Sequence, residues 1–275
     1  MNDHKSFLKW AGGKIKLLPK LRELGIECGK RYIEPFVGSG VVALNMPHQE
    51  IIIGDTNEGL IAVWKSIKEE ESFISIAKTF FNPSYNKNPE YYKLRAMFNN
   101  HLECGNLDIM TGALFLYLNK HCFNGLCRFN RRGEFNVPYN HTATAPGFPE
   151  FELLYAKEVC KRITIYKQSF IDTFKMIKKG DMVFCDPPYI PAQLNGFTAY
   201  SKDGFGREAH EELVKCAEIA QKKGATVIIS NNDTLTSRIL YGNATETHFI
   251  DVQKNISCKG NSRKKQSEII AVYRP

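Results

Sequence analysis

Four residues, Asp186-Pro187-Pro188-Tyr189, bring together the groups needed to alkylate an amine on a flat ring. A carboxylate accepts one amine hydrogen. The Pro187 carbonyl offers a second acceptor, and the pyrrolidine ring limits how far that carbonyl can drift. Tyr189 gives a face on which a base can stack. Together they would hold a planar NH2 and expose its nitrogen lone pair to an electrophilic methyl group. A Pro-Pro turn closing a strand, with Asp as a local cap, would give the same four letters. The apolar run Met182–Cys185 directly before them makes that simpler account less favoured.

Three further groups suit a nucleoside-like ligand. Glu34-Pro35-Phe36-Val37-Gly38-Ser39-Gly40 ends a strand-like run in a glycine turn. Gly38 and Gly40 would let backbone approach a ligand closely, with the N–H groups of a following helix left free. The spacing is not the full G-x-G-x-x-G, and a plain strand-to-helix turn explains it about as well. Asp55 ends the next strand-like run, where an acidic side chain commonly holds ribose hydroxyls. It could equally cap the helix that begins near Thr56. Near the start, Trp10 stands beside Gly12-Gly13-Lys14. That segment lacks the P-loop pattern, since Ile15 follows the lysine, so kinase or ATPase chemistry has no support. An indole, a flexible Gly-Gly and a lysine suit an adenosyl amino acid, by stacking and by pairing with its carboxylate.

The elements that must position these residues are legible as short β-rich runs, each ending in polar residues or glycine. Runs at Arg31–Phe36, Ile51–Gly54, Ile163–Lys167, Met182–Cys185, Thr226–Ser230 and Ile269–Tyr273 predict buried parallel strands of an α/β sheet. Ligands of such sheets bind at the carboxyl ends of the strands. Apolar spacings of three and four predict helices over 58–81, 90–101 and 107–119. The segment Cys122–Tyr139 is rich in Asn, Arg, Gly and aromatics, which predicts a loop or hairpin. The expected organisation is therefore a catalytic domain from 1–56 and 151–275, interrupted by a mainly helical insert at 57–150.

The net charge of +8 is clustered at Lys14–Lys20, Arg128–Arg132 and Arg263–Lys265. It fits a polyanion partner, or solubility alone. A membrane surface is a poorer fit, because the basic clusters have no adjoining apolar amphipathic face. No apolar leader opens the chain and no run could span a bilayer, so the eight cysteines are expected to be reduced thiols in a cytoplasm. Cys122 and Cys127 lie close together without a second Cys/His pair at zinc spacing, so no metal is expected. Nothing marks an obligate protein partner.

In order along the chain stand Phe7-Leu8-Lys9-Trp10-Ala11-Gly12-Gly13-Lys14, Glu34-Pro35-Phe36 with its glycine turn, Asn124–Pro138 (NGLCRFNRRGEFNVP) and Asp186–Tyr189. This order resembles the Dam family of DNA adenine methyltransferases, and the likeness runs from about Phe7 to the terminal strand, including Ile256-Ser257 and Arg263–Lys265. The resemblance implies a Rossmann-like methyltransferase sheet, S-adenosylmethionine as the only cofactor, double-stranded DNA as partner and GATC as target. It implies that Trp10, Lys14, Asp55 and Asp186 bind the cofactor, with Asp186 also heading the catalytic motif. It further implies that Arg128 reads a guanine with Leu126 beside it, that Lys9 contacts the first guanine, and that Phe123 stands where relatives often carry a wedging tyrosine. Asn124, Asn130 and Pro138 belong to the same DNA-binding segment. Phe170, after a strand end, is a candidate to flank the cofactor adenine together with Phe36.

The residues themselves agree with these roles. An arginine fork on guanine gives about 1–3 kcal/mol of discrimination. Arg131 and Arg132 already serve solubility, which leaves Arg128 for reading. Extruding adenine costs a few kcal/mol, and a phenyl ring such as Phe123 can fill the gap without a hydroxyl; ordinary packing is the plainer role for that residue. One departure stands out: Tyr139–Pro146 contains no Lys or Arg, where relatives tend to carry a basic and aromatic run. Fewer phosphate contacts should lower affinity and flatten its salt dependence without changing the target. Ile190–Tyr200 has no periodicity and is expected to be a mobile loop that orders on DNA. The rival activities are methylation of cytosine, RNA or glutamine, against the last of which Asp186 argues, since Asn is more typical at that place. A catalytically silent DNA-binding regulator would be expected to have a damaged motif or turn, and both are intact.

Overall fold

The computed structural model describes residues 3–190, 205–252 and 266–275. Seven strands, β1 (Tyr32–Glu34), β2 (Ile51–Asp55), β3 (Ile163–Lys167), β4 (Met182–Cys185), β5 (Thr226–Asn232), β6 (Glu246–Val252) and β7 (Gln266–Tyr273), form one sheet in the order β3-β2-β1-β4-β5-β7-β6. Nine α-helices accompany them among the described residues: α1 (Leu18–Glu23), α2 (Glu58–Glu69), α3 (Phe73–Thr79), α4 (Asn88–Glu103), α5 (Ile109–His121), α6 (Glu150–Cys160), α7 (Phe170–Lys175), α8 (Arg207–Lys222) and α9 (Leu235–Leu240). The α/β class read from the sequence holds, with a Rossmann-like methyltransferase arrangement of strands.

Not every strand is parallel. The pairs β1/β4, β2/β3 and β4/β5 are parallel, whereas β7 runs antiparallel to β5 and β6 antiparallel to β7. The continuous apolar run Ile269–Val272 looked parallel because it is buried on both faces, a property of position in the sheet rather than of direction. β6 escaped detection because Glu246–Asp251 is polar and only partly covered, as an edge strand is. The helix expected over 58–81 is two helices. The chain extends at Glu70 (φ −110°, ψ 112°), where Glu69-Glu70-Glu71 is exposed and has nothing to pack against.

The chain divides into two compact units. The first holds the residues up to Leu24 together with Val37–Gln168. Helix α5 is its centre: Thr111–Asn119 is buried on every side, as expected of a helix apolar all round. It packs tightly on α2, since a Cβ on Gly112 would lie 3.0 Å from the Ala62 carbonyl oxygen. The Asn57 side chain caps α2 by accepting from Leu60 N at 2.9 Å. Asp55 is therefore not the cap.

The second unit holds Gly25–Phe36 and the described residues from Ser169 onward. At the starts of β1 and β4, Arg31 Nε and Nη2 donate to the two oxygens of buried Asp181 at 2.9 and 2.7 Å. This bidentate pair fixes how the two strands align. Helix α8 buries His210, Leu213, Val214, Ala217 and Ala220, which lie three or four residues apart on one face. The strand order reverses between β1 and β4, and their carboxyl ends lead into Pro35-Phe36 and Asp186-Pro187. Ligands of open α/β sheets bind at such a point.

Candidate active site and candidate DNA-binding hairpin

In the first unit, the glycine turn, Trp10 and Asp55 come together. Gly38 and Gly40 have φ of +47° and +64°, a region L side chains rarely adopt. A Cβ on Gly38 would lie 2.6 Å from Trp10 Nε1, and one on Gly40 would lie 2.2 Å from the buried Trp64 ring. The Trp10 indole therefore lies directly against Gly38. Gly38 N donates to Asp55 Oδ2 at 3.2 Å and Asn57 N to Oδ1 at 3.0 Å, so Asp55 ties the turn to the end of β2. Burial pushes the Asp55 carboxyl above the usual carboxylate range, and the backbone donors of Asn57, Gly38 and Thr56 oppose it. The Lys14 ammonium is buried and donates to the Gly12 carbonyl. No α-helix follows the glycines. The chain makes only a short 3-10 turn at Ala43–Asn45, so the free helix N-terminus expected there is replaced by the turn's own backbone.

The DNA-binding candidates share one hairpin of the same unit. Isolated bridges pair Cys122 with Tyr139 and Phe129 with Phe135, and Phe123 N donates to the Pro138 carbonyl at 2.8 Å. Phe123 is 44% exposed, enough of a ring to meet a partner. Asn124 takes a positive φ of 55°, which turns the chain sharply beside it. Leu126 N donates to the Phe123 carbonyl. Arg128 is exposed, with Nε donating to Asn136 Oδ1 at 2.7 Å and Nη2 to the Asn136 carbonyl at 3.3 Å. Asn130 is committed to the hairpin turn: its Oδ1 accepts from Arg132 N and Glu134 N, and its Nδ2 donates to Glu134 Oε2 at 2.6 Å. Lys9 joins this group, because its side-chain stem packs over Gly125 and its backbone exchanges two hydrogen bonds with the Asn119 amide. Its ammonium donates to the Lys120 carbonyl at 3.4 Å. Burial and the Lys9 charge pull Lys120 down to about 8.

In the second unit, Asp186 follows β4 and its Oδ1 accepts from Ser230 Oγ at 2.9 Å. Pro187 is buried and Pro188 exposed. The Tyr189 hydroxyl donates to Glu268 Oε2 at 3.1 Å. Ile190 N donates to Asn231 Oδ1 at 2.9 Å, and Asn232 Nδ2 donates to the Ile190 carbonyl at 2.7 Å. Burial brings His210 on α8 down to about 4, against which its bond to the Pro188 backbone acts weakly. The motif is thus fastened residue by residue, chiefly from the end of β5. Phe36 and Phe170 stack on each other with centroids 5.4 Å apart, and Phe205 stands edge-on to Phe36 at 5.5 Å. That spacing admits no third ring between Phe36 and Phe170, so a flat ligand would meet this cluster from its side.

Sequence reading missed Ser230, Asn231, Asn232, His210 and Glu268. The only available signal was the polar triplet that ends β5, because all five are common residue types whose meaning lies in a partner on another element. The loop expected over Ile190–Tyr200 lies outside the described residues from 191 onward, as do Ile256-Ser257 and Arg263–Lys265. Ile190 itself is buried. Among the described residues no group of three or more His, Cys, Asp or Glu side chains could hold a metal, and no helix is long and apolar enough to cross a membrane.

A strand-end Asp-Pro-Pro-Tyr at the switch point of such a sheet, with a glycine turn and a strand-end aspartate, is the arrangement of an amino-methyltransferase, and residues 10–257 match the family model of D12 class N6 adenine-specific DNA methyltransferase. The chain belongs to that family and methylates adenine in DNA. Over its whole length it is 37% identical to the DNA adenine methylase of Escherichia coli (strain K12), covering 97% of that protein. It is equally similar to the DNA adenine methylase of Serratia marcescens, with 37% identity over the full length of both chains. The Retron Ec67 DNA adenine methylase of Escherichia coli is 37% identical over 97% of this chain and 90% of its own.

Proposed function

We propose that the protein transfers a methyl group from S-adenosylmethionine to N6 of adenine in GATC of duplex DNA, by extruding the base and displacing the methyl directly. The observation that carries this reading is the strand-end motif: Asp186 held at Oδ1 by Ser230, and Tyr189 held through its hydroxyl. The donor-binding residues fit the group they are assigned. Trp10 lies on a positive-φ glycine turn, and the half-buried Asp55 carboxylate accepts from Gly38 N in that turn. Trp10, Lys14, Gly38, Gly40 and Asp55 would hold the donor, with Phe36 and Phe170 as an aromatic wall. When bound, the donor supplies a methyl group activated on a sulfonium.

The protein's own part is orientation and placed acceptors. Asp186 and the Pro187 carbonyl receive the two amine hydrogens, and Tyr189 stacks on the ring. Residues 57–150 form the target-recognition insert, and 1–56 with 151–275 the catalytic domain. On the hairpin, Arg128 reads guanine, exchanging the bonds its Nε and Nη2 make to Asn136 for the base. Leu126, Asn124, Asn130, Pro138 and Lys9 line the same reading face, and Phe123 wedges into the duplex. The reaction takes place where the chromosome or phage genome lies, in a bacterial cytoplasm, a reading supported by the bacterial relatives.

The decisive experiment measures methyl transfer to duplexes with and without GATC, using the wild type and Asp186→Ala. The wild type should act on the GATC duplex only, and Asp186→Ala should lose at least about a hundredfold in rate, the scale of removing one placed charge-stabilising group. Equal transfer to both duplexes would refute the target assignment, and an undiminished Asp186→Ala rate would refute the role of the motif.

A further inference from the structure

Two buried side chains from two strands, Ser230 and Glu268, hold two side chains of the Asp-Pro-Pro-Tyr motif, Asp186 and Tyr189. Ser230 Oγ, in β5, donates to Asp186 Oδ1 at 2.9 Å and is fully buried. The Tyr189 hydroxyl donates to Glu268 Oε2 at 3.1 Å, and Glu268, in β7, is 5% exposed. Burial, with the charges of Asp186 and Glu268, pushes the Tyr189 phenol far above its ordinary range. The motif is thus held by two ties, a serine hydroxyl on the Asp186 carboxylate and the Tyr189 hydroxyl on the Glu268 carboxylate. Two hydroxyl protons serve two carboxylates, and the phenol remains protonated.

We infer that Ser230 and Glu268 are positioning residues of the methyl transfer: Ser230 sets the plane of the Asp186 carboxylate, and Glu268 sets the ring of Tyr189 through its hydroxyl. This rests on the roles proposed above for Asp186 and Tyr189. A carboxylate at a strand end turns about two side-chain bonds, yet an NH2 group donates well only to an in-plane acceptor, so a fixed donor on one oxygen removes the wrong rotations. A tyrosine ring on a Pro-Pro turn likewise needs its far end tied if its face is to lie parallel to a base. The sheet supplies that tie through strand direction. β7 is antiparallel to β5 with Glu268 opposite Asn232, so the start of β7 stands at the edge where the parallel strands end. This also explains why position 189 carries a hydroxyl at all, since phenylalanine would stack as well but could not be held.

The test uses the full chain with single-turnover methylation, binding of donor and duplex, and the emission of 2-aminopurine placed at the target adenine, which is bright when extruded and dim when stacked on an aromatic ring. Ser230→Ala should slow methylation by about ten- to a hundredfold while both dissociation constants stay within about twofold, and Ser230→Thr, which keeps the hydroxyl, should restore the rate. Glu268→Ala and Tyr189→Phe should each brighten the 2-aminopurine complex, Glu268→Gln should not, and the double variant Glu268→Ala/Tyr189→Phe should be no worse than either single one. Tyr189→Phe removes one oxygen and keeps the fold, so the emission result stands even if Glu268→Ala unfolds. Wild-type rates in Ser230→Ala beside an inactive Asp186→Ala would overturn the inference and leave the motif's role intact. An active Asp186→Ala would instead overturn the role of the motif.

Discussion

Asp55 and Asp186 both end a strand, yet their surroundings set them to different work. Asp55 is fastened by backbone N–H groups alone, and its desolvation outweighs those donors. Only the ionised form can accept from ribose hydroxyls at both oxygens. Donor binding should therefore weaken on acidification, and at a pH above that expected for an ordinary carboxylate. Calorimetric titration of S-adenosylmethionine between pH 7 and 4 should show this loss, and Asp55→Asn should bind about tenfold more weakly with no such pH dependence. An affinity flat across that range in the wild type would refute the assignment. At this scale the sequence marked candidates where chemistry would demand a particular residue at or just after a strand end, as at Asp186, Tyr189 and Asp55. It was silent about Ser230 and Glu268, because a serine or a glutamate has meaning only once a distant partner is known.

Among elements, the hairpin proposed to read DNA carries its own architecture. Asn99 exchanges two hydrogen bonds with the Phe135 backbone, Tyr91 and Arg95 donate to the Val137 carbonyl, and the Asn130 amide closes the turn. The stretch that follows it, Asn140–Ala143, is partly or fully exposed and contains no Lys or Arg. Lysines introduced there, as in Asn140→Lys with Thr142→Lys, should steepen the dependence of log affinity on log salt by about 0.9 for each phosphate gained, with the GATC preference unchanged. A steeper slope accompanied by lost preference would refute the division of labour between the hairpin's reading side chains and this stretch. Element types were legible wherever one periodicity ran uninterrupted, as in β3 and β4, whose limits match the apolar runs residue for residue. The break between α2 and α3, the edge strand β6 and the direction of β7 were not, because each depends on what lies alongside.

For the whole molecule, two buried histidines make acid the condition under which the fold weakens. Burial lowers His121, in the first unit, and His210, in the second, from 6.5 to about 4, although each has a backbone bond that favours its charged form. Between pH 4 and 6.5 the unfolded chain binds protons that the folded chain refuses. Stability contributed by these two groups therefore rises with pH through that window and levels off above it. Urea unfolding should show this rise, with a slope approaching about 1.4 kcal/mol per pH unit for each histidine. His121→Phe should remove one proton's share, and an unchanged slope would show that the ring is already charged in the folded state.

The reversed direction of β7 ties the integrity of the sheet to the holding of the motif. Its middle residues fill the place beside β5, and its opening residues deliver Glu268 to the reactive edge of the sheet. Both contributions come from one strand, which joins the sheet to the tie on the Tyr189 hydroxyl. Loosening β7 from β5 would therefore free the aromatic ring and weaken the sheet in the same event, so rigidity and reactivity fall together.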